Sequence, residues 1–235
     1  MSVSIDTVDD SLSPGAIATL LDNTSAFSIS MWTFILSTNT TPGRFYYKES
    51  SDGLEIAQLF LVAGSTSLQV GRGRATSNMV MVTTTGTITV NSWQNIVVTC
   101  PTTTTAAAQL VYVNTVNVVH TTNTNGAGAF AANAGTVFLG NTIFADRGIG
   151  AYISEVAIWN SVLTAAQVTS IYARGRRGVP LTIASANLLA YWPLEDVADG
   201  VSGDAASFRD LKGTNTLTGS DGTNNTGCTG TIGEP

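Results

Sequence analysis

The sequence predicts an all-β chain, an antiparallel sandwich with a single short helix near Thr164–Arg174, and three observations carry that prediction. Strand-length apolar runs recur at short intervals, with Gly, Asn, Thr or Pro between them. One segment alone holds a full set of helix boundary signals. The composition favours Thr, Ser, Asn and Gly, which suit pleated surfaces and turns better than helices. Many strands followed by one late helix exclude alternating βαβ units.

The first clear run is Phe27 to Leu36. Phe27, Ile29 and Met31 alternate with Ser28 and Ser30, and the run then becomes apolar on both sides at Trp32 and Phe34. Further runs are Arg44 to Glu49, Leu54 to Val62, Asn78 to Val82, Thr87 to Val90 and Trp93 to Cys100. Gln109 to Asn114, Val116 to Thr121 and Thr136 to Leu139 follow. Pro14, Pro42 and Pro101 fall between runs, where a missing amide donor interrupts no ladder.

The segment Ile149 to Gly175 contains a strand, a turn and the helix. Tyr152, Val156 and Ile158 share one strand parity while Ile153, Ala157 and Trp159 occupy the other, which reads as a strand buried on both faces. Asn160 and Ser161 break the run. Thr164 can cap the helix with Gln167 three residues on, Leu163 and Val168 hold the staple positions, and Gly175 stands where a left-handed cap is expected. Val168, Ile171 and Tyr172 make a narrow apolar stripe, so the helix lies on something larger.

Composition bounds the function. Hydrophobic residues at 43% against 11% charged residues supply a core and leave solubility to hydroxyls and amides. A net charge of −6 and a pI near 4.5 argue against a nucleic-acid partner, which needs a positive surface. Arg72 with Arg74, and Arg174 with Arg176 and Arg177, do not reverse that; the second group reads as cations favoured at a helix C-terminus. No apolar run is long enough to cross a membrane, so no membrane insertion is expected. MSVSIDTVDDSLSPG lacks the basic and apolar regions of a signal peptide, so synthesis in a host cytoplasm without a cleaved leader is the expectation. Cys100 and Cys228 lie far apart in no redox or zinc motif, and free structural thiols are expected ahead of a disulfide.

Five segments in order carry a resemblance. Phe27-Ser28-Ile29-Ser30-Met31-Trp32, Trp93-Gln94-Asn95-Ile96-Val97-Val98-Thr99, Leu110-Val111-Tyr112-Val113-Asn114, Val137-Phe138-Leu139-Gly140 and the Ile149–Gly175 segment are similar to the concanavalin A-like jelly roll in its laminin-G-like form. The resemblance covers about Ala26 to Gly175 and implies that fold. Relatives usually begin with a strand like Leu188-Leu189-Ala190-Tyr191-Trp192-Pro193-Leu194-Glu195, followed by a segment like Asp210 to Thr218. Here both lie after the helix, so the module looks circularly shifted. One domain over residues 1–235 is expected, with 180–235 supplying that strand and an extended Gly/Thr/Asn-rich tail. The strand either closes its own sandwich, opens a second module that is missing, or exchanges with a neighbouring subunit.

Glucanases of this fold place clustered acids on one strand, because glycosidic cleavage takes an acid and a base or nucleophile. Ile153 to Ile158 offers Glu155 alone, Glu195 and Asp196 point to opposite faces, and His120 has no neighbouring nucleophile. No catalytic residue is expected. Laminin-G-like relatives often hold Ca²⁺ through acids and carbonyls, but an acid that often precedes Glu155 is replaced here by Ser154. Asp146, Glu155, Asp196 and Asp199 remain as candidate ligands, with solvated acids and caps as the plainer account. For glycans, Trp32, Trp93, Trp159 and Trp192 sit where the family builds its core. Tyr46 and Tyr47 are the candidates, since one of two adjacent strand aromatics faces outward.

Three functions stay open. A bacteriophage virion subunit (capsid decoration, head fibre or tail-associated), non-enzymatic, homo-oligomeric and in contact with other virion proteins or glycans, is favoured. Its support is the missing leader, the low-charge surface and a resemblance to phage and marine bacterial reading frames that combine LLAYWPL with SEVAIWN. The alternative is a carbohydrate-binding or adhesive module of a bacterial surface protein, outside the cell. A glycoside hydrolase dependent on Glu155 comes third.

Overall fold

The computed structural model describes residues 2–5, 10–14, 16–17, 26–50, 55–130, 135–142, 144, 146–178, 180–196, 207–220 and 229–231. Among them the chain forms β1 (Ser2–Ile5), β2 (Ser11–Ser13), β3 (Ala16–Ile17), β4 (Phe27–Ile35), β5 (Gly43–Ser50) and β6 (Glu55–Leu61). Next come β7 (Leu68–Arg72), β8 (Met79–Thr83), β9 (Trp93–Cys100), β10 (Leu110–Val113), β11 (Val116–Asn117) and β12 (His120–Thr124). The series ends with β13 (Gly135–Leu139), β14 (Ala151–Trp159), helix α1 (Ala165–Arg174), β15 (Leu188–Trp192), β16 (Ser207–Phe208), β17 (Leu217–Ser220) and β18 (Thr229–Thr231).

These strands make two antiparallel sheets, the sandwich with one α-helix that the sequence predicts. The first sheet runs β11-β10-β9-β4-β14-β1-β18, with β15 also paired to β14. The second runs β12-β8-β7-β6-β5-β13-β2-β17-β16, with β3 paired to β13. The core lies between them, where Ile29, Met31, Val98, Ile153 and Ile158 meet Leu59, Val70, Met81, Val137 and Leu139.

Three departures from the sequence reading have physical causes. Thr87 to Val90 forms turns and no strand. Val116 to Thr121 divides, because the chain leaves the first sheet after β11 and enters the second at β12. β7 escapes a hydrophobic scan since Arg72 takes the inward position that follows Leu68 and Val70. Arg72 is buried with its guanidinium 4.6 Å from the Phe27 ring and 4.0 Å from that of Phe130, and burial lowers its pKa to about 10.

The outer face of the first sheet is covered where α1 crosses it. Ser28 is as buried as its apolar neighbours: its hydroxyl donates to the Ser161 carbonyl at 2.8 Å and accepts from the Leu163 amide at 3.0 Å. Trp159, Leu163, Val168 and Ile171 form a second apolar cluster there, and the Trp159 indole donates to the Ile183 carbonyl at 2.8 Å. Thr164 and Gln167 close the expected capping box. Gly175 departs from the left-handed cap: φ is +67° with ψ at −169°, a region open only to glycine.

The C-terminal strands distribute over both sheets. Val156 to Trp159 of β14 pair with β15, β17 lies beside β2, and β18 beside β1. Trp192 is buried in the core and donates to the Asn215 carbonyl at 2.6 Å. Cys100 is a buried free thiol, pushed up to about 12 by burial. Asp199, Cys228 and most of the tail beyond residue 220 lie outside the described residues.

Candidate functional site

Alternate residues of a strand share a face about 7 Å apart, so Trp32 and Phe34 of β4, with Leu36 just beyond it, stand in line on the outer face of the first sheet. Trp93 and Tyr152 are the cross-strand partners of Phe34 on β9 and β14. Their rings lie 5.8 Å from that of Phe34, tilted by 56° and 51°. Trp32 and Phe34 are buried, Trp93 and Tyr152 half-buried, and all four lie outside both apolar clusters.

Helix α1 brings further groups. Tyr172 stacks on Trp32 at 5.5 Å and 20° while remaining 39% exposed. Four residues later Arg176 places its guanidinium 4.1 Å from the Trp93 ring. Leu36, 41% exposed, marks the other end of the line. Asn95 and Ser154 flank Trp32 on the neighbouring strands. The Asn95 amide donates to the Met31 carbonyl at 3.1 Å, whereas Asn95 Oδ1, Ser154 Oγ and the Trp93 indole nitrogen make no hydrogen bond among the described residues. The result is a buried aromatic floor with a half-exposed aromatic rim and one cation.

The rings of Trp93, Tyr152 and Tyr172, which reach solvent, can hold the C–H face of a sugar by dispersion, with Trp32 and Phe34 packed beneath them. Strand periodicity places Trp32 and Trp93 on a face but not in or out of the core, which depends on where α1 ends. Tyr172 counted as part of the helix's buried stripe, and Arg176 as a helix-end cation; in fact it follows Gly175, outside the helix.

The predicted glycan residues fare differently. A bulge between Arg44 and Tyr46 turns both Phe45 and Tyr46 into the core. Tyr47 does lie on the opposite face, yet it is only 5% exposed, with the Arg44 guanidinium 5.7 Å from its ring and 4.0 Å from that of Phe60. Neither tyrosine opens a ring to solvent, which corrects the expectation of an outward tyrosine.

The candidate metal ligands are not brought together. Asp146 accepts from the Thr142 hydroxyl at 2.9 Å and pairs with Arg147 at 3.4 Å. Asp196 pairs with Arg209 at 2.6 Å. Among the described residues no three His, Cys, Asp or Glu side chains gather at one point.

Glu155 has its own role. Its φ of +55° marks a bulge in β14, and its carboxylate accepts from the Tyr191 hydroxyl at 2.5 Å. Burial raises its pKa to about 7, the Tyr191 hydrogen bond opposes that, Glu195 adds to it, and the amino-terminal charge opposes it. Tyr191 is in turn raised above the usual phenol range by burial and by Glu155. His120, half-buried on β12, is lowered by burial.

Sheet order and outer-face geometry together define the class, a concanavalin A-like jelly roll. Residues 6–169 match the laminin G model of the concanavalin A-like lectin/glucanases superfamily, and the chain belongs to that family. Comparison with curated protein sequences gave no match. Among solved structures the chain is similar to a Bacteroides ovatus protein described as carbohydrate binding, at TM-score 0.60 and 15% identity, covering 93% of this chain and 58% of that one. It is also similar to the CBM40 of the Ruminococcus gnavus IT-sialidase bound to α2,3-sialyllactose, at TM-score 0.53 and 8% identity, covering 73% and 98%. Trypanosoma rangeli sialidase matches at TM-score 0.50 and 13% identity over 66% of this chain and 23% of the enzyme. These likenesses establish the fold. No helix of the described residues is long and apolar enough to cross a membrane.

Proposed function

We propose that this chain is a non-catalytic carbohydrate-binding module acting at a surface or outside the cell, and that its site is the aromatic floor and rim on the first sheet. The observation that carries this reading is the line Tyr172, Trp32, Phe34 and Leu36 with Trp93 and Tyr152 beside it, aromatic where a solvent-side strand face is ordinarily polar. The Bacteroides ovatus protein and the sialyllactose-bound CBM40 support the class. Glu155 does not serve hydrolysis: it is buried and held by Tyr191, out of reach of a glycosidic bond in solvent. The virion-subunit reading rests on composition and sequence motifs, and neither fold nor likenesses add to it.

A glycan array followed by calorimetry tests this. Binding is expected in the wild type and weakened at least about tenfold, or 1.4 kcal/mol, in Trp93→Ala and Tyr172→Ala with unchanged circular dichroism. A blank array, or binding indifferent to both substitutions, would overturn the assignment.

A further inference from the structure

We infer that the end of the sandwich formed by β11 and β12 is the contact between two copies of this chain, with β12 pairing antiparallel to β12 of the second copy across a two-fold axis. From Ala75 to Ala145 the sequence holds no Asp, Glu, Lys or Arg; all 16 acidic and all 10 basic residues lie before or after that stretch. It supplies β8 to β13, and the fold gathers β12 and β8 at one edge of the second sheet and β11 and β10 at one edge of the first. A chain of net charge −6 repels its own copies over most of its surface. At this end two copies meet without repulsion.

The edge itself is open. Among the described residues β8 is the strand paired with β12, so alternate amides and carbonyls of β12 point away from the sheet with no strand beside them. Thr121 to Thr124 are exposed. Edges are ordinarily guarded by lysine, proline or a bulge. β12 has its bulge at Thr121, ahead of the regular pairs that Thr122, Asn123 and Thr124 make with Val82, Met81 and Val80. The opposite edge of the same sheet differs, since β16 runs at once into Arg209, Asp210 and Lys212. With one uncharged edge per copy, the contact closes as a dimer and does not propagate. Antiparallel pairing centred on Asn123 sets Thr122 opposite Thr124 of the second copy, a hydroxyl pair that stabilises sheets. Val116 and Val119, 64% and 69% exposed, add apolar surface at the same end. Arg74, the last cation before the stretch, is turned to its own chain, donating to the Gly128 and Thr103 carbonyls at 3.1 and 3.2 Å.

Sedimentation analysis of the full chain over a concentration series tests this. The wild type should double its mass above about 100 μM and return to monomer on dilution, as a small interface does. Because the contact holds no charge, raising salt to about 1 M should leave it intact. Thr122→Lys, a substitution at an exposed position that sets like charges across the axis, should raise the dissociation constant at least about tenfold. Thr122→Val keeps the edge uncharged and should preserve the dimer. A monomer at every concentration assigns the face to a different partner and overturns the inference. A dimer that dissolves in salt, or one indifferent to Thr122→Lys with unchanged circular dichroism, overturns it as well.

Discussion

Tyr191 donates its hydroxyl to the Glu155 carboxylate over 2.5 Å, at the residue where β14 changes its edge partner from β1 to β15. Ile153 still pairs with Val3, whereas Val156 pairs with Trp192. Between them the Glu155 amide donates to the Pro193 carbonyl at 3.3 Å, so main chain and side chain both fasten β15 at the joint.

That joint sets a pH dependence. Burial raises Glu155 from 4.5 to about 7, so the folded state holds this proton more tightly than the unfolded state between those values. Its contribution to stability is therefore full below pH 4.5 and is lost as pH rises through 7, by roughly 2 kcal/mol. Glu155→Gln keeps an acceptor for Tyr191 and removes the charge. It should unfold at a higher temperature than the wild type at pH 8, by roughly 5 °C, and match it near pH 4. Parallel melting curves across that range would contradict this account.

Gly140 and Gly86 separate strain from crowding. Both have left-handed backbones, φ +87° and +88°, but a Cβ on Gly140 would lie 2.3 Å from Ile5 Cδ1, while one on Gly86 meets nothing within 4 Å. Gly86→Ala should cost about 1 kcal/mol and Gly140→Ala about 3 kcal/mol in urea denaturation. Equal losses would show that the Ile5 contact relaxes freely.

Asp210 organises the segment after β15. Its carboxylate accepts from the amides of Tyr191 at 3.0 Å, Lys212 at 2.9 Å and Asn215 at 3.2 Å, and from the Asn215 side chain at 3.1 Å. Asp210→Ala should cost about 2 kcal/mol, since several donors lose their partner together. Hydrogen exchange should rise over 207–217 and spare β4 and β9. A uniform rise across the molecule would argue against a local role.

The helix cap is a smaller matter. Thr164→Ala removes an acceptor for the Gln167 amide and should destabilise by about 1 kcal/mol. A loss below the error of chemical denaturation would mean that packing of Val168 and Ile171 alone holds the helix.

Much of the fold could be read locally. Phe27 to Leu36, Trp93 to Cys100 and Ala151 to Trp159 show strands in their own periodicity, and Thr164 with Gln167 announces the helix. Thr87 to Val90 and Leu68 to Arg72 mislead for opposite reasons. The first alternates like a strand but makes only isolated bonds, the Ile88 amide to the Thr66 carbonyl and Thr89 to the Gln94 side chain; the second pairs on both sides although an arginine takes an inward position. The candidate site was read wrongly at Tyr46 and Tyr47, because the bulge at Phe45 and the cover from Arg44 are not properties of those residues.

Local pattern therefore settles where elements start, and which residues share a face only where no bulge shifts the period as at Phe45 and Glu155, because dihedral preference and side-chain period act over a few residues. Folding decides which faces are covered, since the cover comes from far along the chain. Ser28 is buried by a helix that begins at Ala165, and Trp32 acquires its stacking partner from Tyr172. Trp93 and Arg176 are likewise brought together from far apart in the chain. A tryptophan buried on its strand thus carries a half-exposed tyrosine, and an arginine that reads as a helix-end charge stands over a second indole.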